Sequence, residues 1–250
     1  MSDIEWTFRN RVIVITGSAV GMGAGAVRSF TTAGAHVYGL DIDAERGEAV
    51  ASETGSVFID CDISSAAAVT PAFDRIAADH GRVDALINNA GGFWEQHTTE
   101  SISEAEWDKV VDLNLKGVFL CSRAAIPLLR ASSHGRIITI SSLAGQTAMY
   151  RSSPPYAAAK AGVIALSRVL AYELAEEGIT SNVIAPSAVL TDRILVVRDE
   201  DERAKTAASM PMKRYGDVDE IVAWMMFLAS EESAYMTGET LSVNGGRFMS

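Results

Sequence analysis

The sequence predicts a three-layer, doubly wound α/β fold, mainly because of the order of its hydrophobic segments. Short runs rich in β-branched residues alternate with longer stretches of helical character along the chain. This alternation is typical of βαβ units, in which helices cover both faces of a parallel sheet. The length of 250 residues suits one such domain, and 48% hydrophobic residues are enough for a large core. We therefore expect a single domain over residues 1–250 with a seven-stranded parallel sheet.

Seven segments are predicted strands because they are short, apolar and bounded by turn-forming residues. In chain order they are Val12–Thr16, His36–Asp41, Val57–Asp60, Ala85–Asn88, Arg136–Ser141, Thr180–Ala185 and Leu241–Val243. The predicted helices between them are Met22–Ala33, Ala44–Glu53, Ala66–His80, Glu104–Arg130, Tyr156–Glu177 and Val218–Ala229. In such a sheet a ligand binds beyond the carboxyl ends of the strands, where the strand order reverses.

A glycine-rich turn, Thr16 to Gly23, joins the first strand to the first helix. Glycines let the backbone approach a pyrophosphate closely, and the helix N-terminus adds free N–H groups and a positive dipole end. Many glycine-rich turns are simple turns, and here the flanking strand and helix favour the binding interpretation. The candidate cofactor-binding residues of this turn are Gly17, Val20, Gly21, Met22 and Gly23.

An aspartate, Asp41, ends the second predicted strand, 18 residues after Gly23. This is close to the spacing of an acid that binds the hydroxyls of the adenosine ribose. A carboxylate there repels a 2′-phosphate, and the nearby positions Ser18, Ala19 and Ile42 carry no cation. The sequence thus predicts NAD rather than NADP. A role for Asp41 as a helix N-cap is an alternative that is compatible with the first interpretation.

Tyr156 and Lys160 lie four residues apart in a predicted helix, so their side chains share one face. A free phenol has a pKa of about 10, and a neighbouring cation favours the phenolate and lowers that pKa. A Tyr/Lys pair on a helix is more often part of a solvated surface. It becomes a candidate acid–base pair here because the other motifs predict the same site.

With these motifs in order, the chain resembles the short-chain dehydrogenase/reductase family, in its compact single-domain branch with a Rossmann fold. The resemblance extends from about Asn10 to Gly246. It rests on the glycine turn, Asp62, Asn88-Asn89-Ala90-Gly91, Asn114, Ser142, Tyr156 with Lys160, and the segment Pro186 to Thr191. It implies an NAD(H)-dependent alcohol dehydrogenase or ketoreductase, which transfers a hydride between a secondary alcohol or ketone and nicotinamide.

Two other enzyme activities of this fold fit the sequence less well. Enoyl reductases of the fold have a wider Tyr-to-Lys spacing, and the sugar epimerase branch is longer. A catalytically silent NAD-binding regulatory or scaffold protein is the alternative from another class. Its mark would be a broken Ser142/Tyr156/Lys160 set, and the set is complete here.

The resemblance also implies catalytic roles. Tyr156 is the expected general acid/base, Lys160 lowers its pKa and binds the nicotinamide ribose, and Ser142 orients the substrate oxygen. Ser141 is expected to serve the structure. Asn114 is expected to hold a proton-relay water, and a structural asparagine that kinks its helix is the alternative.

Further cofactor contacts follow from the same resemblance: Asp62 and Ile63 at the adenine, Asn89, Ala90 and Gly91 at the ribose, and Val189 and Thr191 at the nicotinamide carboxamide. One position departs from the family pattern, because Ser187 stands where the family has a glycine. A serine forced to a positive φ costs about 1 kcal/mol, so we expect an altered backbone at this point.

The substrate wall is predicted from aromatic and apolar residues near the expected site: Phe93, Trp94, Met149 and Tyr150. They favour an apolar or aromatic substrate, and the alternative is that they only pack the loops together. Residues 187–212 are expected to form a substrate lid inserted within the domain. The charged run Arg198 to Arg203 in it is typical of a solvated helix face.

Composition excludes several classes of function. The formal net charge of −11 argues against nucleic acid and anionic membranes as partners. Cys61 and Cys121 have no metal or redox spacing and are predicted to be buried thiols in a reducing, cytoplasmic compartment. The acidic N-terminal segment does not predict a signal peptide, and no segment approaches the roughly 18 uncharged apolar residues of a membrane span. Four scattered histidines predict no metal site.

Two predicted helical segments, Val110–Leu129 and Ala157–Leu174, carry apolar or small residues on more than one face. The sheet can cover one side of each, so a second subunit is predicted to cover the other. The resemblance implies a homodimer or homotetramer.

Overall fold

The computed structural model describes residues 5–148 and 153–249. Within them, seven strands form one parallel sheet in the order β3-β2-β1-β4-β5-β6-β7. The strands are β1 Val12–Thr16, β2 His36–Asp41, β3 Val57–Asp60, β4 Ala85–Asn88, β5 Arg136–Ile140, β6 Thr180–Pro186 and β7 Thr240–Val243. The predicted doubly wound α/β fold with a seven-stranded parallel sheet is confirmed.

Helices connect the strands and cover both faces of the sheet. They are α1 Gly21–Thr32, α2 Ala44–Thr54, α3 Ala66–His80, α4 Glu104–Val111, α5 Gly117–Arg130, α6 Pro154–Leu174, α7 Asp192–Val197, α8 Glu200–Ser209 and α9 Val218–Ala229. Across the described ranges, every helix is too short or too polar to span a bilayer.

The core consists of two apolar clusters, one on each face of the sheet. Ile13 and Ile15 point into a cluster with α1 and α9, whereas Val12 and Val14 point into a cluster with α3 and α5. Successive side chains of a strand point to opposite faces, so a strand covered on both faces is apolar throughout. This explains why the sequence pattern located the strands within one or two residues.

The predicted helix over Glu104–Arg130 is interrupted. Between α4 and α5, residues Asp112–Lys116 form a π-helical turn. Inside that turn the Asn114 side chain donates a hydrogen bond to the Val110 carbonyl at 2.8 Å. A polar side chain that bonds the preceding turn competes with regular helical bonding, which accounts for the local change.

The strand order reverses at β1, which lies between β2 and β4. The loop after β1 and the loop after β4 therefore leave neighbouring strands and meet above the carboxyl edge of the sheet. A Cβ added to Gly17 would lie 2.7 Å from Cα of Ala90, so the two loops touch at this point. The residues predicted to form the site follow these strand ends.

Candidate active site

The glycine turn after β1 depends on glycine at three positions. Gly17 and Gly21 have φ values of +68° and +55°, a region that disfavours other residues. Gly23 packs so closely on the Gly17 carbonyl that a Cβ would overlap it. The turn can therefore close tightly in front of α1.

The N-terminus of α1 has the properties of an anion site. Its N-cap residue is Val20, no side chain among the described residues caps it, and its first turn holds no acidic residue. The Ser18 hydroxyl nearby is buried and has no hydrogen-bond partner among the described residues. Free N–H groups at a helix N-terminus attract a phosphate group, so this turn fits a dinucleotide pyrophosphate.

Asn89 links the loop after β4 to the glycine turn. Its side chain donates hydrogen bonds to the carbonyls of Thr16 and Gly17, both at 3.0 Å. The Thr16 hydroxyl accepts from the N–H groups of Asn89 and Ala90 at 3.0 and 3.1 Å. The Asn89 side chain thus holds the crevice together, a structural link that the sequence did not reveal.

Asp41 is fixed at the end of β2 beside the glycine turn. Its carboxylate accepts hydrogen bonds from the N–H of Ala19 at 2.9 Å and from that of Asp43 at 3.0 Å. The N-cap of α2 is Asp43, which accepts from the N–H of Arg46 at 3.1 Å. The alternative that Asp41 itself caps this helix was therefore wrong, because its neighbour two residues later does so.

The two predicted adenine residues differ in their environment. Asp62 is exposed, and its carboxylate accepts hydrogen bonds from the N–H and hydroxyl of Ser64 at 2.9 and 2.7 Å. Ile63 is buried, and a Cβ on Gly117 would lie 2.8 Å from its Cδ1. The Ile63 side chain therefore packs under α5.

Lys160 and Tyr156 lie on the same side of α6, as their spacing predicts. The Nζ atom of Lys160 is 5.7 Å from the centroid of the Tyr156 ring. It donates a hydrogen bond to the Ile140 carbonyl at the end of β5, at 2.8 Å. The side chain is almost completely buried, with 3% exposure, and this burial lowers the pKa of the amine to about 8.

Tyr156 is half-buried, and its pKa is raised above the ordinary value by burial. A hydrogen bond with the Ser142 side chain and the positive charge of Arg193 act in the opposite direction and lower it. The raised pKa keeps the phenol protonated at neutral pH. Arg193 is therefore a second cation near the phenol, beside the Lys160 that the sequence predicted for this role.

Ser141 and Ser142, at the end of β5, have different environments. The Ser141 hydroxyl is buried and donates to the backbone carbonyl of Lys160 at 2.7 Å, which agrees with the structural role predicted for it. Ser142 begins a short 3₁₀ turn, where its hydroxyl accepts from the N–H of Ala144 at 3.2 Å. The same side chain bonds Tyr156.

Asn114 and Lys160 converge on Gly91. A Cβ on Gly91 would lie 2.6 Å from Oδ1 of Asn114 and 2.9 Å from Nζ of Lys160. Asn114 is completely buried, accepts from the N–H of Gly92 at 2.9 Å and donates to its carbonyl at 2.7 Å. The asparagine therefore has the structural role weighed from the sequence, and it also lies beside Lys160.

Of the residues predicted to line the substrate site, the structure brings one to Tyr156. The Phe93 ring lies 5.0 Å from the Tyr156 ring, between centroids. Trp94 is half-exposed and packs instead under Lys109 of α4, whose Nζ is 3.7 Å from its ring centroid. Met149 and Tyr150 lie outside the described residues.

The segment after β6 forms the opposite wall. Val189 is buried and pairs with Gly216, and Thr191 lies at the glycine turn, where a Cβ on Gly21 would be 3.5 Å from it. Ser187, which stands where the family has a glycine, does not adopt a positive φ. Within the described residues, the non-glycine positions with positive φ are Asn10 and Lys213, so Ser187 adopts a backbone that serine tolerates.

Arg193 is a site residue that sequence reasoning missed. It lies in α7, and its guanidinium donates a hydrogen bond to the Phe93 carbonyl. A Cβ on Gly92 would lie 2.5 Å from its Nη1, so the guanidinium rests directly on the loop after β4. The only signal in the sequence was its position two residues after Thr191.

A glycine crevice at the reversal of strand order, beside a serine, tyrosine and lysine that meet above β5, defines an oxidoreductase site of the dinucleotide-binding α/β class. Comparison with known proteins agrees. Residues 17–247 match the model of a family described as enoyl-(acyl carrier protein) reductase. The chain is 36% identical over 244 residues to 3-oxoacyl-(acyl-carrier-protein) reductase FabG of Escherichia coli (strain K12), covering 97% of this chain and 99% of that protein.

Two further proteins show the same relationship. The chain is 38% identical over 252 residues to BbsD of Thauera aromatica, a (2S)-((R)-hydroxy(phenyl)methyl)succinyl-CoA dehydrogenase subunit, covering 96% of this chain and 97% of that protein. The solved structure of levodione reductase is similar with a TM-score of 0.90 and 32% identity, covering 96% of this chain and 98% of that one. The chain belongs to the short-chain dehydrogenase/reductase family, whose members use nicotinamide cofactors.

Proposed function

We propose that this protein is an NAD(H)-dependent alcohol dehydrogenase or ketoreductase that interconverts a secondary alcohol and the corresponding ketone. The observation that carries the proposal is the meeting of Ser142, Tyr156 and Lys160 above β5. The Ser142 side chain bonds Tyr156, and Lys160 lies 5.7 Å from the Tyr156 ring. The glycine crevice at the reversal of strand order adjoins these residues.

Each of the three side chains has its own proposed role in proton transfer to or from the substrate oxygen. In carbonyl reduction, Tyr156 donates its phenolic proton to the substrate oxygen, while the Ser142 hydroxyl donates a hydrogen bond to the same atom. In alcohol oxidation, the Tyr156 phenolate removes the hydroxyl proton. The positive charge of Lys160 favours that phenolate. When bound, the nicotinamide supplies or accepts the hydride.

Asn114 is proposed to support a relay water beside Lys160. The support is the shared contact of Asn114 and Lys160 with Gly91. A buried amine that exchanges protons with Tyr156 needs such a connection to solvent, and Asn114 is a buried polar side chain close to it.

The residues fit a dinucleotide, and we propose NAD. The uncapped N-terminus of α1, from Val20 to Gly23, would hold the pyrophosphate, and Asp41 the adenosine ribose. Lys160 and Tyr156 would hold the nicotinamide ribose, and Val189 and Thr191 the carboxamide. Remaining contacts are proposed for residues on the loops after β3 and β4: Asp62, Ile63, Asn89, Ala90 and Gly91.

The preference for NAD over NADP rests on the charge at the end of β2. The Asp41 carboxylate lies beside Ile42, which is 71% exposed and apolar. The nearest arginine on α2, Arg46, forms an ion pair with Asp43. A cation already paired with a carboxylate is poorly suited to bind a 2′-phosphate.

The substrate is proposed to be an apolar or aromatic alcohol or ketone, because the Phe93 ring packs on Tyr156. The segment 187–212, which contains α7 and α8, is proposed as the lid.

The matched family model is described by enoyl reduction, but the four-residue spacing of Tyr156 and Lys160 favours alcohol and carbonyl chemistry. The buried free thiols Cys61 and Cys121 support the cytoplasm as the compartment.

The test compares the protein with its Tyr156→Phe variant. Oxidation of NADH and of NADPH is followed by absorbance with a panel of aryl ketones, cyclic ketones and oxosteroids. We expect turnover with NADH, and a loss of about 100- to 10,000-fold in Tyr156→Phe because the general acid is removed. NADH binding, followed by fluorescence, is retained in both proteins and is weaker by about tenfold at most in Tyr156→Phe, which loses one hydrogen bond to the ribose. If both bind NADH and neither converts any compound, the silent NAD-binding protein is the correct interpretation.

A further inference from the structure

Arg193 places a positive charge at the opening of the proposed site. Its guanidinium is held by the Phe93 carbonyl and rests on Gly92, immediately before the ring that packs on Tyr156. Gly92 has φ of +151°, so the loop presents bare backbone to the guanidinium. The cation is therefore docked on the loop next to the catalytic phenol, although its own helix belongs to the lid.

The guanidinium has unused hydrogen-bonding capacity. An arginine carries five N–H donors, and the described residues provide one acceptor for Arg193, the Phe93 carbonyl. Among the described residues no carboxylate lies within ion-pair distance of it. The carboxylate of the same loop, Glu95, lies instead 3.4 Å from His97.

Arg193 is one of several arginines of the described chain without an ion pair, in a protein of net charge −11. Others are paired with a carboxylate, such as Arg28 with Glu53 and Arg130 with Glu177. Arg198 and Arg203, the other arginines of the lid, donate to Thr206 and to backbone carbonyls within the lid itself. Arg193 alone among these lid arginines reaches across to the loop after β4.

A second observation indicates that the charge of Arg193 acts on the Tyr156 phenol. The positive charge of Arg193 lowers the pKa of the Tyr156 phenol. The guanidinium and the phenolic oxygen therefore lie close enough to interact through the opening of the site. A substrate whose oxygen is bonded by Tyr156 will have its remaining atoms in the same region.

We propose that Arg193 binds a carboxylate of the substrate, so that the preferred substrates are oxo acids and hydroxy acids with an apolar or aromatic body. The planar fork of an arginine matches the two oxygens of a carboxylate through parallel N–H···O bonds. The acid group lies beside Arg193 while the carbonyl oxygen is bonded by Ser142 and Tyr156. This inference rests on the proposed function, since it names the substrate class of the same site.

The test compares each acid with its neutral ester. Phenylglyoxylate, benzoylacetate and benzoylpropionate carry the carboxylate at increasing distance from the carbonyl, and each is assayed beside its methyl ester. We expect kcat/KM to favour at least one acid over its ester by about 10- to 100-fold, the effect of a hydrogen-bonded charge pair. The acid whose chain length gives the largest preference measures the separation between Arg193 and the reacting carbon.

Three variants test whether Arg193 causes the preference for the acid over its ester. Arg193→Gln is expected to remove the preference by raising KM for the acid alone, whereas its effect on the Tyr156 phenol changes kcat for acid and ester by the same factor. Arg193→Lys, which keeps the charge and loses the fork, is expected to retain part of the preference. Lys205→Gln is the matched control, because it removes one positive charge from the exposed face of α8, away from the loop after β4. It is expected to keep the full preference.

The inference is overturned if the unaltered protein does not prefer any acid, or if Arg193→Gln lowers kcat/KM equally for acid and ester, as loss of a purely structural contact would. A binding experiment tests the role of Arg193 without turnover, and therefore independently of the proposed function. Benzoylpropionate and its methyl ester are titrated by calorimetry into Tyr156→Phe with NADH, with and without Arg193→Gln. Arg193-dependent binding of the acid supports the inference even if no compound is turned over, and equal binding of acid and ester contradicts it.

Discussion

At the scale of single residues, the buried amine of Lys160 makes the stability of the protein depend on pH. Burial lowers its pKa from 10.5 to about 8. Between these values the unfolded chain binds a proton that the folded chain does not, so the free energy of unfolding increases with pH over that range. Below about pH 8 both states are protonated, and the folded state carries the full cost of a buried ammonium group.

Replacement of this amine is expected to remove that dependence. In Lys160→Met the free energy of unfolding lacks the increase between about pH 8 and 10.5. The difference between the two proteins therefore changes by up to about 3 kcal/mol over this range. Urea denaturation at a series of pH values measures it. Parallel pH profiles for the two proteins would show that the amine is solvated in the folded state.

The closeness of Tyr156 and Lys160 was predictable because helical periodicity places them on one face. Arg193 was not predictable, since a charged side chain on a lid helix can point to solvent as well as inward, and its partner is a backbone carbonyl. The conformation of Ser187 was not predictable in detail, because the sequence shows only that serine disfavours a positive φ, and the backbone here does not have one. The contact of Trp94 with Lys109 of α4 was not predictable, because the two residues are distant in sequence and Trp94 lies in a loop.

At the scale of elements, the glycine turn combines backbone conformation with close contact, and two glycines separate these effects. Gly17 and Gly55 both have positive φ, at +68° and +78°. A Cβ on Gly17 would lie 2.7 Å from Cα of Ala90, whereas a Cβ on Gly55 would meet nothing within 4 Å. Alanine at Gly55 therefore introduces conformational strain only.

We expect Gly55→Ala to lower the free energy of unfolding by about 1–2 kcal/mol and to leave the affinity for NADH unchanged. Gly17→Ala adds a steric clash between the loops after β1 and β4, so it is expected to be more destabilising and to weaken NADH binding. Thermal denaturation and fluorescence titration measure the two effects. Equal losses in both variants would mean that the loops separate easily and that their contact does not shape the crevice.

The elements themselves followed well from the sequence. Strands that are buried on both faces are apolar throughout, and such runs are easily recognised between turns. The sequence offered a helix-kinking Asn114 as an alternative, but it did not reveal the π-helical turn Asp112–Lys116 or the hydrogen bonds of Asn114 to the distant loop at Gly92. The short helices α7 and α8 lack a buried face, so no periodic pattern marked their ends.

At the scale of the whole molecule, the outer faces of α5 and α6 carry exposed apolar side chains. Phe119 lies on α5, and Val169 and Tyr172 on α6, with Tyr172 89% exposed. Apolar surface of this kind is typical of a subunit contact. It supports the dimer or tetramer that the sequence predicted.

The assembly can be tested with two exposed valines. Val169→Asp places a charge in the α6 face and is expected to shift the protein to smaller oligomers, because an unpaired charge in an apolar contact is strongly unfavourable. Val196→Asp, on the exposed face of α7, is the matched control and is expected to leave the molar mass unchanged. Light scattering after size exclusion reports the mass. A monomeric unaltered protein, or dissociation by the control alone, would contradict the proposed contact.

The two cysteines have a practical consequence for the study of this molecule. Cys61 and Cys121 lie in the same apolar cluster between the sheet and α5, and burial raises the pKa of both thiols, that of Cys61 to about 11. A thiol that is both shielded and protonated reacts with maleimide only after its surroundings open. The rate of alkylation of these native sulfhydryls therefore measures how often that half of the interior is transiently exposed. No engineered label is needed.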